Sequence, residues 1–341
     1  MTITKRIGFA CKWIDTPEQV NGIKPKDSCK QYNTGSTTVA WLSRQTVDVA
    51  EQKLWDLMVQ NIQAVRMLVE RVGSLDNHLR MLRLSSDILP VYTEPTWSYF
   101  WRKPDVVEYC EKHFKSVGDI AKKFDVRLSM HPGQFCVLAS DNSDVVDRSI
   151  EEFEYHADMA RWMGYGQKFQ DFKINVHIAG RKGPQGIIDT LSRLSPEARN
   201  TITIENEENA WGLNSTLELA DHCALVLDIH HHWCREGEYI LPSDHRVQQV
   251  IDSWRGCTPV IHYSYSRSEH LPAGFKHDSM PDMTTLLATG HKKAKLRAHS
   301  DFYPNQSVND WALSHSQWAD IMCESKGKNL ASFEFAKKIG F

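Results

Sequence analysis

The chain has 341 residues, is 41% hydrophobic and 24% charged, and carries a formal net charge of −3. The apolar share is ample for a large core, and the slight negative charge argues against a bulk basic nucleic-acid binder. It leaves open an enzyme that gathers its Lys and Arg on one face.

Short apolar or β-branched runs alternate with helical patterns along the chain. The runs 6–11, 78–85, 126–131, 172–178, 201–206, 224–231, 258–264 and 294–300 read as buried strands. Helical periodicity occupies 46–72, 104–124, 143–163, 185–194, 214–222, 244–254, 307–322 and 328–338. Eight strand–helix alternations without a Pro/Gly/Ser linker predict one (β/α)8 TIM barrel over residues 1–341. A doubly wound open sheet is the second reading. Segments 12–45, 86–103 and 265–293 are too long for ordinary connections, which points to function.

The eight cysteines include no CxxC pair, so a thiolate zinc site is not expected. The start "MTITKRIGFA" lacks the apolar stretch of a signal peptide, and no run of apolar residues reaches membrane-spanning length. The expectation is a soluble, intracellular (cytoplasmic) protein with reduced thiols.

The polar residues collect at the ends of these runs. His131, His177, Glu205, Asp228, His231 and His262 each fall at the C-terminal end of a predicted strand, as do His299 and Asp301. Those ends converge on one mouth of a barrel. A single histidine there is more often structural than a ligand, but a converging set of imidazoles and carboxylates is a divalent-metal donor set. It is larger than one ion needs, so two or three ions are expected. The chemistry favoured is metal-dependent hydrolysis, with phosphodiesters as substrates. In "LDIHHHWC", strand alternation turns His230 and His232 to the side opposite His231. His156, His78, His113, His222, His245 and His315 read as structural.

In order and spacing, "RIGFAC", "LRLSSDILP", "RLSMHPGQF", "INVHIAGRKG", "TIENEE", "LDIHHH" and "VIHYS" resemble the UV damage endonuclease family, itself similar to endonuclease IV. The resemblance runs from residue 6 to about residue 310. It implies a metal-dependent TIM barrel that nicks damaged double-stranded DNA immediately 5′ of a lesion, leaving a 3′-hydroxyl and a 5′-phosphate. Implied lesions are cyclobutane pyrimidine dimers, 6-4 photoproducts and abasic sites. Implied ligands are His131, His177, Glu205 as the bridging carboxylate, Asp228, His231, His262 and, in the loop after that strand, His277. The strand-8 ligand of the family is a glutamate; "LRAHSD" offers His299 in its place, ahead of Asp301. Mn²⁺ is the first expectation and Zn²⁺ the alternative. The family's Gln-Tyr probe reads Gln134 and Phe135 here, the tyrosine near the start of strand 1 reads Phe9, and the lysine two positions before the strand-7 histidine reads Val260.

DNA contacts are expected from basic and aromatic loops: Arg102 and Lys103 in "WSYFWRK", Arg181 and Lys182 in "AGRKG", and Arg267 in "YSYSRSEH". Lys182 is also the candidate for offsetting charge on the leaving oxygen, alongside Glu205 as the catalytic centre. The expected assembly is a monomer with no obligate protein partner and no membrane contact. The rivals are a divalent-metal sugar isomerase on a similar barrel and a lesion-binding protein without turnover.

Overall fold

A computed structural model of the chain describes residues 5–21 and 29–339; residues 22–28 of the long segment after the first strand lie outside them. The strands are β1 Ile7–Ala10, β2 Met81–Arg83, β3 Arg127–Met130, β4 Lys173–His177, β5 Ile202–Glu205, β6 Ala224–Asp228, β7 Val260–Tyr263 and β8 Asp320–Cys323. They form a closed parallel barrel in sequence order, and β1 pairs with β8 to close it. The strands are short and buried, as parallel strands covered by helices must be. This is a TIM barrel.

The first seven strands fall where the sequence places them; the eighth does not. Residues 294–300 begin inside a short helix, Lys293–Leu296, and His299 makes a single antiparallel bridge to Ser266. The reason lies in the side chains. Lys292, Lys293, Lys295 and Arg297 leave only Leu296 of that short helix buried, whereas a strand sandwiched between barrel interior and helix layer must be apolar. The run Asp320–Cys323 meets that demand, with every residue buried. The helix expected over 307–322 therefore stops at Ser314, in Gln306–Ser314, to release β8.

The stretch after β6 also differs. The strand ends at Asp228, and His230, His231 and His232 belong to a helix, Ile229–Glu236. The Asp228 carboxylate caps it, accepting from the backbone N–H groups of His230 at 2.8 Å and His231 at 2.7 Å. Strand alternation thus does not apply to the three histidines. Their buried imidazoles diverge by helical rotation: His230 Nε2 donates to Leu296 O at 3.2 Å, and His232 Nε2 lies 3.2 Å from Glu238.

Aromatic side chains expected at the mouth are partly core. Phe9 is fully buried, its ring edge-on to Trp13 and Phe333 between strand and helix layer, so it cannot reach DNA. In 97–103, Trp97, Phe100 and Trp101 are buried and Tyr99 is exposed. All eight cysteines are free thiols. Among the described residues, no helix is long and apolar enough to cross a membrane.

Candidate metal centre

Strand register brings the donors together. His177 on β4 lies beside Glu205 on β5, and Asp228 on β6 beside His262 on β7. Glu205 is fully buried at the centre. One carboxylate oxygen lies 3.4 Å from His131 Nε2; the other lies 3.1 Å from His262 Nδ1 and 3.5 Å from His231 Nδ1. The donor atoms of His131, His177 and Glu205 all lie within 4.8 Å of one another, as do those of Glu205, Asp228 and His262.

Outer contacts orient these side chains. His131 Nδ1 donates to Pro132 O at 2.8 Å, which turns Nε2 toward Glu205. His231 Nδ1 sits 3.1 Å from Asn206 O, freeing Nε2 toward Asp228 and Glu208. Asn206 also brackets Asp228, accepting from its N–H and donating to its carbonyl. Beneath Glu205, the Asn175 amide donates to the carboxylate, and Thr203 Oγ1 donates to the Asn175 carbonyl oxygen at 2.7 Å. Asn175→Ala is expected to lower metal affinity about 10–100-fold while leaving the fold intact, the usual effect of losing a ligand's supporting partner. Metal titration followed calorimetrically measures this; unchanged affinity would assign Asn175 to packing alone.

Two observations show that these residues suit cations. Asp228 Oδ2 and His177 Nδ1 are buried without a hydrogen-bond partner, and Glu205 Oε1 and His262 Nδ1 are buried 3.1 Å apart without hydrogen-bond geometry, a costly arrangement unless something else satisfies them. The electrostatics agree. Burial disfavours the His231 cation, yet the carboxylates of Asp228, Glu205 and Glu208 overcome it and push its pKa up to about 10. The cluster therefore has a surplus of negative charge that attracts positive charge. Burial pushes His262 down to about 4 and lowers His177 as well, so both are neutral imidazoles, the ligating form.

The glutamate that the resemblance implies at strand 8 is present. Glu324 directly follows β8, and its carboxylate lies 3.2 Å from His262 Nδ1 and pairs with Arg83 at the end of β2. Burial favours the neutral acid there, but the Arg83 guanidinium beside it outweighs that and holds Glu324 well below the usual carboxylate range. His299 is thus no replacement for that glutamate. Its ring nevertheless stands 6.5 Å from that of His231, on the wall of the same cavity. Asp301 lines a separate cavity with Arg267, which is paired with Glu269 at 2.7 Å. His277 lies apart from the cluster, its ring against Phe275 and its Nδ1 3.4 Å from the Tyr265 hydroxyl. The family resemblance placed it among the ligands; in the structure it does not line the cavity that the cluster opens into.

The cluster opens into a cavity of about 640 Å³ whose walls include Arg83, Gln134, Arg297, His299, Ser325 and Lys328. Phe135, beside Gln134, is 84% exposed, unusual for a phenylalanine. Lys182 faces away. A Cβ on Gly180 (φ 105°) would meet Ala139 O at 2.3 Å, and Trp211 donates to Gly180 O at 2.7 Å, so the loop is pressed down. That turns Lys182 into a separate 120 Å³ cavity. Arg181 remains exposed, 3.2 Å from Asp141. Lys103 pairs with Glu51 at 2.6 Å, and neighbouring Arg102 is exposed.

Sequence reasoning missed Arg83, Asn175, Glu324 and Lys173. The last is buried at the start of β4, with Nζ 3.0 Å from His262 Nε2, and burial pushes it down to about 7. A lysine thus reaches this histidine across the barrel, while Val260 is buried core. A polar residue inside an apolar run, as in "FKINVHI", is the signal that could have found Lys173 and Asn175.

The UV-endonuclease UvdE family matches residues 6–340. The chain belongs to that family. The UV-damage endonuclease of Schizosaccharomyces pombe is 26% identical over 98% of this chain, which spans only 50% of that protein. The UV DNA damage endonuclease of Bacillus cereus (strain B4264) is 23% identical over 85% of this chain and 84% of its own length. Among solved structures, SacUVDE superimposes with a TM-score of 0.72 at 20% identity, covering 98% of each chain. Endonuclease IV from Thermus thermophilus does so with a TM-score of 0.50 at 13% identity, over 81% of this chain and 93% of that one. The barrel architecture is common to all three, and membership assigns this chain to a family of UV endonucleases.

Proposed function

We propose that this barrel hydrolyses the phosphodiester immediately 5′ of a UV photoproduct or abasic site in double-stranded DNA, leaving a 3′-hydroxyl and a 5′-phosphate. The observation that carries this reading is the group of buried, partnerless donor atoms around Glu205, open to a cavity large enough for a nucleotide. His131, His177, Glu205, Asp228, His231, His262 and Glu324 would hold two or three divalent ions, Mn²⁺ first and Zn²⁺ as the alternative, with His299 adjoining. Such ions supply Lewis-acid charge and activate water for attack on phosphorus.

The chain's own residues do the rest. Glu205 links the two halves of the cluster through its two oxygens. Backbone carbonyls hold Nδ1 of His131 and His231, which turns Nε2 of each toward the carboxylates of the cluster. Gln134 and Phe135 follow the Pro132-Gly133 turn and project into the duplex, where a damaged step unstacks at least cost. Arg181 and Arg102 contact backbone phosphates. The protein acts as a monomer.

Purified protein with Mn²⁺ and UV-irradiated supercoiled plasmid tests the proposal. Relaxed circles whose nicks prime a polymerase, lost on chelation and absent with unirradiated plasmid, are expected. Lesion binding without nicking would mark a recognition protein instead.

Replacing Gln134 and Phe135 together with alanine should weaken the preference for damaged over intact duplex by about 1–3 kcal/mol, the scale of lost base stacking. Metal content should not change. Competition binding with the two duplexes reads the effect, and full retention of selectivity would reduce these residues to loop packing.

A further inference from the structure

The cavity wall on the β8 side carries positive charge that the metal ligands do not use. Of its cations, Arg83 is paired with Glu324, and Arg297 with Glu208 at 3.0 Å. Lys328 and Lys326 also line the cavity, and neither side chain has a carboxylate within ion-pair distance among the described residues. Lys328 is half-buried, so its ammonium is partly desolvated without a counter-charge. It sits at φ 48°, a left-handed conformation that a non-glycine residue adopts at some cost. It opens the nine-residue helix Lys328–Ala336.

A second observation at the same place points to a ligand. Ser325 is 6% exposed, lines the cavity, and its hydroxyl is buried without a hydrogen-bond partner; Arg83 Nε is in the same state. An unsatisfied hydroxyl, an unsatisfied guanidinium N–H, two unpaired ammonium groups and a helix N-terminus share one chemistry: all favour an anion with several acceptor oxygens. In barrels of this architecture, the end of strand 8 with a following helix N-terminus is a recurrent phosphate position.

We propose that Ser325, Lys326 and Lys328, with Arg83 behind them, form a subsite for one backbone phosphodiester of the bound strand, next to the metal cluster on its Glu324 side. This rests on the nuclease reading above. It moves the cationic contact near the chemistry from the loop after β4, where Lys182 turns away, to the loop after β8.

The test is DNA binding by the metal-loaded protein in Ca²⁺, with intact and irradiated duplexes, across a salt series. Lys328→Met keeps the aliphatic stem and removes the charge. It should weaken binding to both duplexes about tenfold, the scale of a lost charged hydrogen bond, and lower the salt slope by about one. The preference for damage and the metal content should stay as in wild type, and Lys328→Arg should restore affinity. If Lys328→Met does not fold, as judged by circular dichroism, Lys326→Met on the exposed neighbour should lower the same slope, and an unchanged slope there overturns the subsite. Wild-type affinity and slope in folded Lys328→Met overturn it while nicking by wild type keeps the nuclease reading. A wild type that neither binds nor nicks DNA removes both.

Discussion

Glu205→Gln is expected to reduce nicking of irradiated DNA by about a thousandfold or more, with the fold retained. The size follows from the position. Among the described residues, Glu205 is the one carboxylate common to both donor groups, with oxygens facing His131 on one side and His262 and His231 on the other. The amide keeps shape and volume but loses the charge, and one of its two ends becomes a donor that ligates poorly. If the ions contribute several kcal/mol of charge stabilisation, losing one costs about three decades of rate at about 1.4 kcal/mol per decade. Metal analysis should show fewer bound ions, and the melting transition should stay cooperative. Wild-type nicking with unchanged metal content would remove Glu205 from the centre.

Glu324→Ala should lose both an ion and stability, and the two losses are separable. Arg83 and Glu324 are a buried pair, with side chains 14% and 11% exposed. Removing the carboxylate strands the Arg83 guanidinium in the barrel, a change that costs about 3–5 kcal/mol. Urea unfolding in chelator reads this without metal. Changing both residues to methionine should recover much of that stability, because no unpaired charge remains, yet metal binding should stay weakened. His299→Ala is the contrast: it leaves no charged partner behind and should cost little stability in the metal-free protein. Equal destabilisation by Glu324→Ala and His299→Ala, with the ion lost only from the latter, would return the strand-8 role to the histidine.

These outcomes turn on a distinction between local and distant information. Seven of the eight strands were legible because each signal is local, a short apolar or β-branched run, and in five of them, β3 to β7, that run ends in or beside His, Glu or Asp. The barrel itself follows from repetition of that signal. The donor set His131, His177, Glu205, Asp228, His231 and His262 could be named without coordinates, because barrel closure brings all strand ends to one mouth.

What the sequence left undecided depends on contacts between residues far apart in the chain. Strand 8 is one case: "AKLRAHS" and "ADIMCES" both offer a short run ending in a ligand-type residue, and only pairing with β1 and β7 selects the second. That choice moves the last carboxylate to Glu324. The positions of His277 and Lys182 are set by loop paths, and a loop path depends on what it packs against, here Tyr265 and Phe275 in one case and Ala139 and Trp211 in the other. Phe9 was expected at the mouth because it matches the family's tyrosine near the start of strand 1, and a motif match does not say which side of the strand the ring packs on; the helix layer claims it. By itself, the sequence determined the barrel, the mouth and most of the imidazole and carboxylate groups that cluster there, since hydrophobic period and strand-end chemistry are written locally. Only the tertiary structure decided which residues stand at that mouth from the long connections and the eighth strand, because burial, charge pairing and loop packing are properties of neighbours that the chain order does not name.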